Sequence, residues 1–87
     1  MPTISVFYGL IIRMYFKDHL PPHIHIDYQG EESVVDIKNG NVIEGKLSSR
    51  NKKLIDAWME LYQAELLANW ELCKNRENPV KISPLQF

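Results

Sequence analysis

The sequence predicts an α+β fold: a small antiparallel sheet of four to five strands over residues 3–47, packed by one long or two short C-terminal helices at about 49–76. Runs of β-branched and aromatic residues fill the first half, and a helical period replaces them after Ser48. We expect a short terminal strand or tail after Pro79. The chain of 87 residues is expected to form a single domain over 1–87, because domains commonly span about 100–150 residues.

Three strands are predicted before residue 30. TISVFY (3–8) and LIIRMYF (10–16) flank Gly9, which indicates either a tight turn or a bulge in one bent strand. HIHIDY (23–28) alternates in polarity, so its polar and apolar side chains should lie on opposite faces. The polar face would carry His23, His25 and Asp27, and the apolar face Ile24, Ile26 and Tyr28.

A hairpin is predicted where SVVDIK (33–38) and NVIEGKL (41–47) meet at Asn39-Gly40. Asn-Gly favours a two-residue turn, because both residues tolerate positive φ. Such a turn would pair Ile37 with Val42, and it would place Val35 beside Glu44.

The second half carries one apolar stripe at helical spacing, formed by Ile55, Met59, Tyr62, Leu66, Trp70 and Cys73. The pattern is long for a small domain, so we expect a kink or break near 62–65. Trp58, Tyr62 and Trp70 share this stripe and are therefore interpreted as core residues. Cys73, near its end, is interpreted as a small buried hydrophobe.

Composition limits the classes of function. The net charge of −1 argues against wholesale attraction to nucleic acid, and the one cysteine cannot form an internal disulfide. No apolar run approaches the roughly 20 residues needed to cross a bilayer, so we expect a cytoplasmic protein without membrane contact. A chain of this size buries only about 60–65% of its unfolded surface, which leaves oligomerisation open as a further source of stability.

The segment HLPPHIHID, residues 19–27, holds all three histidines of the chain. On a strand, His23 and His25 share a face and can supply two imidazoles to zinc or another divalent transition metal. His19 and Asp27 are the candidates for the remaining ligands. Two consecutive prolines would hold His19 at a fixed offset from that face, although the sequence does not show whether either X-Pro bond is cis.

The same segment fits an acid–base site without a metal. A histidine beside Asp18 or Asp27 could transfer a proton to or from a ribose hydroxyl or a leaving oxygen. Arg13 and Lys17 are then candidates to contact phosphate. So is the basic run KLSSRNKK, with Lys46, Arg50, Lys52 and Lys53. A structural interpretation also stays open, in which the prolines start a strand and the basic run is a solvated loop.

Several stretches together resemble the small bacterial proteins grouped as domain of unknown function 4160. They are the opening MPTISVFYGLIIRMYF, then KDHLPPHIHIDY, EGKL, AWMELYQAELLANWEL and KISPL. The resemblance covers nearly the whole chain, and its most specific part is D-H-x-P-P-H-I-H. It implies a short cytoplasmic protein, the toxin of a toxin–antitoxin pair, with Asp18, His19, Pro21, Pro22, His23 and His25 as the candidate site positions.

Two functions are therefore expected from the sequence. The first is a toxin neutralised by a cognate antitoxin, with RNA as the substrate and His23, His25, His19 and Asp18 as the catalytic candidates. The alternative is a non-enzymatic module that binds a metal ion or a protein partner.

Overall fold

The computed structural model describes residues 2–86 and contains a five-stranded antiparallel sheet followed by two helices. The strands are β1 (Thr3–Phe7), β2 (Leu10–Arg13), β3 (His23–Tyr28), β4 (Glu31–Asp36) and β5 (Val42–Glu44), and the helices are α1 (Ser49–Leu61) and α2 (Gln63–Lys74). Neighbouring strands in the sequence are neighbours in the sheet, in the order β1-β2-β3-β4-β5. The predicted α+β architecture is confirmed.

Two hairpins close through turns whose residues have positive φ. Tyr8 and Gly9 have φ of 48° and 80°, and Gln29 and Gly30 have φ of 53° and 84°. Turns with two positive φ angles match the twist of the flanking strands. Of the two predictions for Gly9, the tight turn is therefore the one observed.

The loop between β4 and β5 is longer than predicted. Val35 pairs with Val42 and Val34 with Glu44, with an irregularity between the two pairs. The predicted pairing of Ile37 with Val42, and of Val35 with Glu44, is therefore wrong.

The side chain of Asp36 explains the longer loop. Its Oδ1 accepts hydrogen bonds from the backbone N–H groups of Lys38 (2.7 Å) and Asn39 (3.2 Å), which bends the chain before Asn39 is reached. The backbone N–H of Ile37 then donates to Pro22 O at 2.9 Å, outside the hairpin.

The two helices follow the predicted stripe and its predicted break. Ser48 caps α1, since its Oγ accepts from the backbone N–H of Asn51 at 3.1 Å. Tyr62, with φ −121°, separates α1 from α2. Within residues 2–86, no helix has both the length and the apolar character needed to cross a membrane.

The core lies between the sheet and the helices. Trp58 and Cys73 are buried, as predicted, and Trp70 is 5% exposed. The strands contribute Ile4, Phe7, Leu10, Ile12, Ile24, Ile26 and Val35 to the same cluster.

The segment after α2 is a docked tail, without a strand among its described residues. Asn69 of α2 donates to Val80 O and accepts from Val80 N–H, each at 2.8 Å. The backbone N–H of Ile82 donates to Ile4 O at 2.8 Å, and the Trp58 indole donates to Ser83 O at 2.9 Å. The tail thus joins α1, α2 and β1.

Candidate functional site

The connection from β2 to β3, residues 14–22, carries Asp18 back to the start of β3. Lys17 has φ 53°, and its backbone N–H donates to Cys73 O at the end of α2, at 3.1 Å. The Leu20-Pro21 peptide bond is cis. These residues bring the carboxylate of Asp18 against the first histidines of the strand.

Asp18, His23 and His25 form one cluster, which we call the Asp–His centre. Asp18 Oδ2 lies 2.8 Å from His23 Nε2 and 2.9 Å from His25 Nε2. Asp18 Oδ1 accepts from the backbone N–H of His19 at 2.9 Å. One ligand atom from each of the three side chains lies within 4.8 Å of the other two, which is close enough to hold one metal ion.

The ring of His23 is held on both sides. His23 Nδ1 lies 2.6 Å from Pro21 O, and because a carbonyl only accepts, Nδ1 carries a proton. The other nitrogen, Nε2, faces the Asp18 carboxylate. The side chain is 3% exposed and packs against the Trp70 ring at a centroid distance of 5.1 Å. His23 is thus either an imidazolium paired with Asp18 or a neutral ring whose Nε2 can bind a cation.

His25 has one nitrogen on Asp18 and one without a hydrogen-bond partner. His25 Nδ1 is buried and unpaired among the described residues, with Glu32 Oε1 at 3.7 Å. The Tyr15 ring stacks on the imidazole at 4.0 Å, and the Tyr15 hydroxyl donates to Glu32 Oε2 at 3.0 Å. Burial and this hydrogen bond to Glu32 raise the pKa of Tyr15, so the phenol remains a donor.

The environment of Asp18 favours the ionised carboxylate. Burial raises the pKa of Asp18, but hydrogen bonds from His25, from the His19 backbone and from His23 together lower it below its usual value. The centre therefore combines a fixed negative charge with two imidazoles.

A small cavity of about 90 Å³ opens beside the centre. His19, Leu20, Pro21, His23, His25, Val34, Ile43 and Glu44 line it. Leu20 is 73% exposed and Ile43 45% exposed, so part of its border is apolar.

His19 lies near the centre but points largely into solvent. Its side chain is 85% exposed, and its Nδ1 lies 3.1 Å from Asp18 Oδ1. Its ring centroid is 5.4 Å from that of His23. The structure therefore places His19 beside the Asp–His centre, and not among its three converging side chains.

Asp27 lies outside the Asp–His centre, and so do Arg13 and Lys17, the predicted phosphate contacts on and after β2. Arg13 Nη1 contacts Asp27 Oδ2 at 3.3 Å, so these two predicted site residues pair with each other. Lys17 is exposed.

The basic run 46–53 lies around the start of α1. Lys52 Nζ contacts Asp56 Oδ1 at 2.6 Å, and Arg50 Nη1 donates to Asn51 Oδ1 at 2.8 Å. Lys46 and Lys53 are exposed. None of these four side chains lines the cavity beside the centre.

Glu32 and Tyr15 are site residues that the sequence analysis missed. The turn at Gln29-Gly30 contains the signal for Glu32, since a two-residue loop pairs Tyr28 with Glu31 and then Asp27 with Glu32. That register puts Glu32 on the face of β3 that carries the polar residues. Tyr15 lies beyond the end of β2, so strand alternation does not reach it.

The fold and the site define a small α+β domain with a partly buried aspartate–histidine centre. Residues 9–71 match the family model described as a domain of unknown function, DUF4160. Because the match spans well over half of the chain, the chain belongs to this family. The matched range contains the whole Asp–His centre. No curated protein and no solved structure matches the chain.

Proposed function

We propose that this protein is the toxin of a bacterial toxin–antitoxin pair, a cytoplasmic protein that cleaves RNA and is neutralised by a cognate antitoxin. The toxin assignment rests on what the family resemblance implies. RNA as the substrate is an inference from the chemistry of the site.

The convergence of Asp18, His23 and His25 on one point beside a cavity is the observation that carries this proposal. Within the segment DHLPPHIH, the imidazoles of His23 and His25 both contact one carboxylate oxygen of Asp18. A segment that only started a strand would not need its polar groups to meet there. Clusters of this kind, with a perturbed carboxyl group, are common at active sites.

The proposed chemistry is transfer of the phosphodiester within RNA. His23 or His25, oriented by Asp18, takes the proton of a ribose 2′-hydroxyl. The 2′-oxygen then bonds to phosphorus, the bond from phosphorus to the 5′-oxygen breaks, and the 5′-oxygen takes a proton from the imidazolium so formed. The products are a 2′,3′-cyclic phosphate and a 5′-hydroxyl. Arg13 and Lys17 are the proposed phosphate contacts.

Growth arrest and RNA cleavage test this function together. Induced expression of the wild type in a bacterial host should reduce colony counts, and the purified protein should produce RNA ends with a cyclic phosphate. Asp18→Asn and His25→Ala should abolish both effects. His19→Ala is the matched control, because His19 belongs to the same segment but is 85% exposed, and it should retain both effects.

Two results would reject the proposal. One is a wild type that neither arrests growth nor cleaves RNA. The other is arrest that survives the Asp18→Asn/His25→Ala double substitution at an equal level of soluble protein.

A protein-interaction module is the second candidate, favoured by the apolar border of the cavity. Leu20 and Ile43 are exposed beside the centre, and exposed apolar side chains next to a cavity are typical of binding surfaces. Leu20→Glu should then abolish binding of the proposed cognate antitoxin. Leu61→Glu is the control, since Leu61 is 64% exposed on α1 and does not line the cavity. Equal loss of binding in both variants would reject this surface.

A further inference from the structure

We propose that the Asp–His centre binds one divalent transition metal ion, Zn²⁺ or an ion of similar ligand preference. The ligands are a carboxylate oxygen of Asp18 and the Nε2 atoms of His23 and His25. This inference goes beyond the proposed function and does not rest on it, because binding is measured on the purified protein without any activity assay.

The three donor atoms already lie near the spacing that a metal requires. Asp18 Oδ2 is 2.8 Å and 2.9 Å from the two imidazole nitrogens. Ligands at about 2.0–2.1 Å from a tetrahedral zinc are about 3.3 Å apart. Insertion of the ion therefore needs Asp18 Oδ2 and the two imidazole nitrogens to separate by on the order of half an ångström.

The hydrogen bonds of His23 prepare its Nε2 for a cation. Its Nδ1–H donates to Pro21 O, which leaves the lone pair of the neutral ring on Nε2, directed at Asp18. A metal-bound histidine typically donates its other N–H to a carbonyl or a carboxylate in this way. The side chain is 3% exposed, so solvent cannot satisfy Nε2 in place of Asp18. A metal ion would replace the proton between these two groups.

The surroundings of His25 Nδ1 also fit a metal ion bound at His25 Nε2. When Nε2 of a neutral imidazole binds a metal, the proton lies on Nδ1 and needs an acceptor. Among the described residues, His25 Nδ1 is buried without a hydrogen-bond partner. Glu32 Oε1 lies 3.7 Å away, and the Tyr15 hydroxyl donates to the other oxygen of Glu32, Oε2. A small shift of Glu32 would complete a carboxylate–histidine–metal arrangement. His25 would then be a ligand of the ion through Nε2.

The ligand set determines which ions fit. Two imidazoles and one carboxylate favour zinc and its neighbours in the first transition row, whereas Mg²⁺ and Ca²⁺ prefer oxygen ligands. Three protein ligands also leave one position free for water or substrate, as catalytic zinc sites do. The cavity lined by Leu20, Ile43 and Glu44 also borders His23 and His25. Compared with the set expected from the sequence, Asp18 takes the place of His19 and Asp27.

Calorimetric titration of chelator-treated protein with Zn²⁺ tests the site. We expect one equivalent to bind, and we expect Mg²⁺ at the same concentration to give no binding. His25→Ala and Asp18→Asn should each weaken Zn²⁺ binding by more than about 100-fold, beyond the 10- to 100-fold typical of losing an outer partner. His19→Ala and Asp27→Asn are the matched controls and should stay within a few-fold of the wild type.

The proposal is overturned if the wild type binds no stoichiometric Zn²⁺, or if His19→Ala or Asp27→Asn weakens binding as much as His25→Ala. Circular dichroism identifies a variant that fails to fold. In that case the visible spectrum of Co²⁺ bound to the wild type decides: bands of a four- or five-coordinate nitrogen and oxygen site support the proposal, and the spectrum of aqueous Co²⁺ rejects it.

The two proposals fail separately. Stoichiometric Zn²⁺ binding by a protein that neither arrests growth nor cleaves RNA rejects the proposed function alone. RNA cleavage by chelator-treated protein that takes up no Zn²⁺ rejects the metal site alone.

Discussion

Asp18 joins a loop to a strand through its carboxylate. Its two oxygens contact His23, His25 and the backbone N–H of His19, although the residue itself lies outside every strand. The connection is anchored elsewhere, by the bond from Lys17 N–H to Cys73 O. The geometry of the site therefore depends on how the loop packs against α2.

We expect Asp18→Asn to destabilise the metal-free protein by about 1–3 kcal/mol, because the buried imidazole of His23 would lose a charged acceptor. Urea denaturation measures the change. Asp56→Asn is the control: its carboxylate contacts Lys52 but is 49% exposed, and the expected loss is below about 0.5 kcal/mol. Equal losses in both variants would show that the contacts of Asp18 do not stabilise the fold.

Cys73 gives the stability a pH dependence on the alkaline side. Burial raises the pKa of the Cys73 thiol, so the unfolded chain releases this proton at a lower pH than the folded chain does. Its contribution to stability is thus complete below the unfolded pKa and is lost as the pH rises toward the folded value. Between about pH 8 and pH 10, the free energy of unfolding should fall more steeply in the wild type than in Cys73→Ala. Parallel curves for the two proteins would contradict this.

At the scale of elements, the turns set the register of the sheet. Positive φ at Tyr8-Gly9 and Gln29-Gly30 fixes two hairpins whose strands the sequence predicted. The hairpin that contains Asn39-Gly40 also forms, but its predicted two-residue turn and register are wrong, because the Asp36 carboxylate binds the backbone first. Turn rules based on residue pairs do not account for a side chain that competes from three residues earlier.

Gly45 is the glycine at which a side chain should cost most. A Cβ there would lie 2.5 Å from Glu32 O, and φ is 73°. Gly30 has a similar φ of 84° with open space around it, so Gly30→Ala carries only the backbone cost of about 1–2 kcal/mol. Gly45→Ala should cost about 1–3 kcal/mol more, measured by thermal or urea unfolding. Equal losses would show that the backbone around Glu32 adjusts freely.

At the scale of the whole molecule, the tail connects the two helices to the sheet. Asn69 is 2% exposed and makes both of its hydrogen bonds to the backbone of Val80. Asn69→Ala should destabilise the protein by about 1–3 kcal/mol, since two backbone groups lose their partners. Asn78→Ala, at an exposed position, should change stability by less than about 0.5 kcal/mol in the same denaturation experiment. If Asn69→Ala lowers the free energy of unfolding by as little as Asn78→Ala does, the hydrogen bonds between Asn69 and the tail add little to stability.

The sequence predicted what local patterns determine and missed what distant contacts determine. Alternation in 23–28 correctly placed His23 and His25 on one face, and helical spacing correctly predicted the break near Tyr62. The return of Asp18 to that face, the pairing of Arg13 with Asp27 and the exposure of His19 depend on how the loop 14–22 packs. No spacing rule within one segment contains that information.

Asp18, His23 and His25 act as one centre, with His19 outside it. Two-bond ¹H–¹⁵N spectra of the three imidazoles, recorded before and after one equivalent of Zn²⁺, test this most directly. We predict that the metal-free protein shows a proton on His23 Nδ1, and that Zn²⁺ shifts Nε2 of His23 and His25 while His19 stays unchanged. Equal shifts in all three rings, or no shift in His23 and His25, would contradict the account.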